Sequence, residues 1–165
     1  MRRSRVVSWV GVLLAAAATA ASAAPAPDCS NVVRQYGHIT ALGRAGGHYV
    51  LRFDPAWWLT GVVAERAAAA DGAIRPGEPV PNDYYIVDEG HRPLTYNVAP
   101  TARVTMIGGG AGVRPVAMTV AELTQIVKGR NPRHRRLLEP TAGFWIRVGG
   151  GYPGAVLSLD QQYQP

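Results

Sequence analysis

The sequence predicts an α+β domain, mainly antiparallel β, rolled into a small OB-like or SH3-like barrel with two short helices. Three observations lead there. Seven short runs have the apolar and aromatic composition of strands. Glycine (19) and proline (13) punctuate them as turns. Only two segments carry helical spacing and helix-end signals. A two-sheet sandwich is the alternative that the same pattern allows.

In chain order, residues 36–42 and 47–53 read as a hairpin across the turn-rich Gly43-Arg44-Ala45-Gly46-Gly47, and Asp54-Pro55 is expected to break the second strand. Residues 60–72 read as a helix with Thr60 as N-cap and Asp71-Gly72 as the stop. Its face is expected to be Val63, Ala67 and Ala70. The prolines at 76, 79 and 81 make residues 74–82 an extended loop. Residues 84–87, 93–98 and 103–107 read as three further strands, with turns at Asp88-Glu89-Gly90 and Ala99-Pro100-Thr101. The second helix is expected over 119–128. Thr119 and Glu122 form a T-x-x-E capping box, Val120, Leu123, Ile126 and Val127 form the apolar stripe, and Gly129 ends it. Residues 143–148 and 155–159 close the chain as a hairpin.

The 165 residues fit one domain, and 47% hydrophobic against 17% charged residues is enough to build a core. A single cysteine excludes a disulfide framework and a Cys-rich zinc site. Residues 1–23 read as a signal peptide: Arg2, Arg3 and Arg5 precede an uncharged stretch, and Ala21-Ser22-Ala23 has the small-x-small pattern of a cleavage site. An uncleaved anchor competes with this reading, but the second half of the stretch is mostly weakly apolar alanine. Residues 24–31 form a Pro/Ala tail that holds Cys29, and 32–165 form the domain. The expected location is therefore secreted or envelope-associated, with no stable membrane span after cleavage. No GxGxxG or P-loop pattern contests this, and no cofactor is implied.

Three constellations are candidate sites. The first is the basic run Lys128, Arg130, Arg133, Arg135 and Arg136, which carries the positive balance of the mature chain. Such a run can hold a polyanion, and it can equally be a solvated loop that complements a helix C-terminus. The second is Asp83, Asp88, Glu89 and His91, oxygen and nitrogen donors in one short stretch that could take a divalent cation. Ordinary turn carboxylates explain the same stretch, since it lacks the spacing of a calcium loop. The third is aromatic: Trp57, Trp58, Trp145, Tyr84, Tyr85 and Tyr96, as a platform for glycans or peptides or as packing of the core and rim. Adjacent residues of an extended chain face opposite ways, so Trp57 and Trp58 are expected to divide between core and surface. His38 and His48 lie in the opposed strands of the first hairpin and could approach one another. No catalytic residue is identified.

The motifs Phe53-Asp54-Pro55-Ala56-Trp57-Trp58-Leu59-Thr60-Gly61 and Val80-Pro81-Asn82-Asp83-Tyr84-Tyr85-Ile86-Val87, with Phe144-Trp145-Ile146 and the ending Gln161-Gln162-Tyr163-Gln164-Pro165, resemble a family of small exported bacterial proteins of actinobacterial type. The resemblance implies export and a single domain, and it implies no activity or ligand. The functional expectation is a non-enzymatic exported protein that binds an anionic envelope polymer through the basic loop. A small envelope hydrolase or metal-dependent enzyme using residues 83–91 is the runner-up. An inhibitor or partner protein using the Trp57/Trp58 edge is the third reading.

Overall fold

The computed structural model describes residues 31–88, 90, 92–110, 112–150 and 154–164. The expected signal peptide, Cys29, Glu89 and His91 therefore lie outside the described residues.

Strands β1 (Val33–Ala45) and β2 (His48–Thr60) form a long antiparallel hairpin. Its turn is Gly46-Gly47, both at positive φ, the conformation that matches a two-residue hairpin to the twist of its strands. The α1 helix (Gly61–Ala70) and a 3-10 turn (Pro81–Asp83) lead to β3 (Tyr84–Val87), which pairs with the far end of β2. Next come β4 (Leu94–Gly108), β5 (Arg114–Met118), α2 (Val120–Val127), β6 (Phe144–Gly149) and β7 (Ala155–Gln161).

Five of these strands close a ring. β1 pairs with β2 and β6, β6 with β7, β7 with β4, and β4 back with β2. The β4–β7 pair is parallel and the others are antiparallel. Numbered by themselves, the ring strands run 1-2-3-5-4, with α2 between the third and fourth. This is the arrangement of an OB-type barrel, and a closed ring is not a sandwich. Leu42, Leu51, Phe53, Val104, Met106, Phe144, Ile146 and Leu159 fill the interior, and α2 adds Val120, Leu123 and Ile126 to the same cluster. A smaller cluster of Ala64, Ala68 and Val80 packs α1 beside Leu59 and Tyr85.

Several local expectations are corrected. Asp54-Pro55 does not end β2. The β2–β4 pairing stops at Phe53, so β2 has an open side at Pro55, the setting in which a strand tolerates proline. Ala99-Pro100-Thr101 is not a turn either. One strand runs through it, and the β4–β7 register shifts there, between Val98 and Arg103. β5 had no counterpart in the sequence reading. The buried face of α1 is Ala64 and Ala68, while Val63 is 60% exposed. The Thr60 side chain makes no capping hydrogen bond.

Thr119 does cap α2: its Oγ1 accepts from the Glu122 N–H at 3.1 Å. The reciprocal half of the box is replaced, because the Glu122 carboxylate turns to Arg135 and Arg133. Thr119→Ala is expected to lower stability by about 1 kcal/mol. A denaturant titration checks this, and an unchanged midpoint would show that the cap contributes nothing.

An aromatic cleft at a strand fork

β1 and β2 part company beyond the Tyr36–Ala56 pair. Residues 33–35 of β1 continue along β6, while residues 57–60 of β2 continue along β3. The divergence opens a cleft of about 460 Å³, floored by Pro55 and Ala56 and lined by Arg34, Tyr36, Trp57, Trp58 and Trp145. That volume lies in the range of small-ligand sites. Val33 and Leu94 complete an exposed apolar rim with Trp57, which is 62% exposed.

The rings form one connected set. Trp58 stacks on Tyr84 with centroids 4.1 Å apart and planes 18° from parallel. Tyr36 meets Trp58 edge-on at 5.0 Å and Trp145 at 5.2 Å. The Arg34 guanidinium sits 4.0 Å over the Trp145 ring, a cation–π contact. Cross-strand register explains the grouping: Tyr36 lies opposite both Ala56 and Trp145, and register partners share a face.

The polar tips of Tyr36, Trp145 and Tyr96 are spent on the fold. Trp145 Nε1 donates to Gln162 Oε1 at 3.1 Å, and Gln164 Nε2 donates to the Tyr36 hydroxyl. Tyr96 donates to Gln35 Oε1 at 2.8 Å. Gln162 and Gln164 thus hold Trp145 and Tyr36 in place. Burial raises the Tyr36 pKa above its ordinary value; the Gln164 hydrogen bond opposes this, and Tyr84 and Asp88 add to it. The hydroxyl is therefore neutral across the physiological range. The outer surface of the β2–β4 pair, where OB barrels commonly bind ligands, carries Val50, Arg52, Thr95 and Asn97 and no aromatic ring.

The basic run folds back on the domain in part. Arg135 Nε lies 3.1 Å from Oε1 of Glu122, Arg133 lies 3.6 Å from Oε2, and Glu122 is 6% exposed. Arg135 also donates to the Ala117 carbonyl, and its backbone is braced by Asn131. Two of the five cations therefore neutralise a buried carboxylate, whereas Lys128, Arg130 and Arg136 are exposed. Of the proposed cation ligands, Asp88 lies 3.7 Å from His38, and Asp83 sits at positive φ as the last residue of the 3-10 turn. Among the described residues no group of three or more His, Cys, Asp or Glu could hold a metal ion. Register places His38 opposite Asp54 and His48 opposite Ala45, so the two histidines occupy different stretches of the hairpin.

Of the predicted aromatics, Trp57, Trp58 and Trp145 line the cleft, Tyr84 backs Trp58, and Tyr85 packs against the α1 cluster. Tyr96 packs against the barrel core. Trp57 and Trp58 do not divide between core and surface: Trp57 is exposed and Trp58 is half-buried, and both line the cleft. Sequence reasoning missed Arg34 and Tyr36, though their i, i+2 spacing before a glycine on a strand was a usable signal. Comparison of the chain with protein families, curated proteins and solved structures finds no match in any of the three. Among the described residues no helix is long and apolar enough to cross a membrane.

Proposed function

We propose that this chain is a non-enzymatic exported domain that holds a saccharide chain in the fork cleft. The observation that carries the proposal is the convergence of Trp57, Trp58 and Trp145 on one cleft of about 460 Å³, with the buried Tyr36 behind them. Indole faces offer flat apolar surface at low entropic cost, which suits the C–H faces of sugar rings. The hydroxyl of Tyr36, the indole N–H of Trp145 and the amide oxygen of Gln35 are committed to internal partners, which favours holding a ligand over transforming one. The signal-like residues 1–23 and the family resemblance support an envelope or extracellular setting. The basic loop belongs to a second reading, favoured by the exposure of Lys128, Arg130 and Arg136.

Tryptophan fluorescence titrated with neutral and acidic oligosaccharides tests both readings. Trp57→Ala is expected to weaken binding about tenfold, the size of one lost aromatic contact of roughly 1.4 kcal/mol. Lys128→Gln/Arg130→Gln/Arg136→Gln is expected to leave it unchanged. Loss of binding in the triple variant with Trp57→Ala unaffected would move the site to the loop. No binding by the wild type would overturn the cleft.

A further inference from the structure

We infer that the ligand of the cleft is an acidic saccharide whose oxyanion is held by Arg34 and Arg147. The inference rests on the cleft reading and deepens it. Arg34 of β1 and Arg147 of β6 are direct register partners, and Arg147 in turn pairs with Ser158 of β7. Ser158 also pairs with Arg103 of β4. Register partners share a face, so one row runs across the outside of four strands: Arg34, Arg147, Ser158, Arg103.

The charges in this row are unevenly compensated. Arg103 is bound to Asp160, with 3.1 Å between Nη2 and Oδ2. Arg34 lies over the Trp145 ring and Arg147 is exposed, with no carboxylate paired to either among the described residues. Like charges directly opposite on neighbouring strands, with Cβ atoms about 5 Å apart, destabilise the sheet. An oxyanion between the two guanidiniums relieves that repulsion, and forked donors suit carboxylate and sulfate. The Ser158 hydroxyl is buried, 4% exposed, with no hydrogen-bond partner among the described residues, so contact with the oxyanion falls to the two arginines.

The position relative to the rings specifies the ligand. Arg34 both lines the cleft and covers Trp145, and Arg147, its register partner, lies outside the lining beside it, so a sugar ring seated in the cleft would carry its acidic substituent toward Arg34 first and Arg147 beyond it. A single-stranded nucleic acid fits less well, because its phosphates need cations that track every residue of the strand, and this face leaves two.

The test uses the full mature chain. Oligogalacturonate is compared with its methyl ester, which has the same rings without the charge, and with a heparin tetrasaccharide, which carries sulfate. The acid is expected to bind at least tenfold more tightly than the ester, with the difference shrinking as salt rises. Arg147→Gln is expected to erase the difference, while Trp57→Ala weakens acid and ester alike. The better of oligogalacturonate and heparin tells carboxylate from sulfate. In parallel, inorganic sulfate titrated into protein with 15N-labelled arginine is expected to shift the side-chain signals of Arg34 and Arg147 saturably. Arg147 is exposed and sits opposite a like charge, so its replacement does not lower the thermal midpoint, which is measured alongside. Equal binding of acid and ester overturns the inference and leaves the cleft reading in place. Binding of neither saccharide overturns both. An oligothymidylate that outcompetes the acid overturns the inference in favour of nucleic acid.

Discussion

Gly37→Ala is expected to lower stability by about 3 kcal/mol or more, which removes much of the stability of a domain this size. At Gly37 the two strands of the long hairpin approach so closely that an added Cβ would overlap the carbonyl oxygen of Asp54 and stand 2.8 Å from Cα of Pro55. Both atoms are backbone, so no side chain can rotate to make room. Relief requires β1 and β2 to separate at the last pairs before the fork, and that movement would also displace Tyr36 and Ala56 from the cleft. Urea unfolding of the variant measures the loss. A midpoint within 0.2 M of the wild type would show that the hairpin accommodates a methyl group and that the close approach is not required; a destabilisation of about 3 kcal/mol with an m-value of about 1–3 kcal/mol/M moves it by 1 M or more.

Gln161→Leu has the second largest expected effect, about 2–4 kcal/mol. The side chain is buried at the end of β7, where Oε1 accepts from the Ile107 N–H at 2.8 Å and Nε2 donates to the Glu139 carbonyl at 2.7 Å. One amide therefore satisfies a strand donor in β4 and an acceptor in the loop ahead of β6. Leucine fills a similar space and satisfies neither, leaving two backbone groups without partners. Thermal unfolding of the variant gives the shift, and an unchanged midpoint would mean that water replaces both bonds.

The elements that were legible in the sequence are those whose signals are local. A turn within residues 43–47, the alternation of Tyr49, Leu51 and Phe53, and the Thr119 cap each act within a few residues, and each is found, the turn narrowed to Gly46-Gly47 because residues 43–45 continue β1. Pro55 and Pro100 misled because a proline is judged by whether its missing N–H was needed. That depends on where β4 stops pairing with β2, and on a register shift against a strand more than 50 residues later. The candidate site was half legible for the same reason. Trp57, Trp58 and Trp145 are conspicuous residues, but only barrel closure brings Trp145 to Tyr36 and Arg34 to Trp145. The five-charge loop looked like one patch because charge is counted along the chain. The partner that absorbs Arg133 and Arg135 is a carboxylate on the preceding helix.

Ring closure also sets an order of events during folding. The β1–β2 hairpin pairs neighbours in sequence and can form as soon as Gly46-Gly47 turns. β1 meets β6 across most of the chain, and β4 reaches its parallel neighbour only when β7 exists. Every route to the closed barrel therefore waits for the last strand. Until then the edges of β6 and β4 that β7 covers stand open, as they would in any chain cut short before β7. High contact order of this kind makes folding slow.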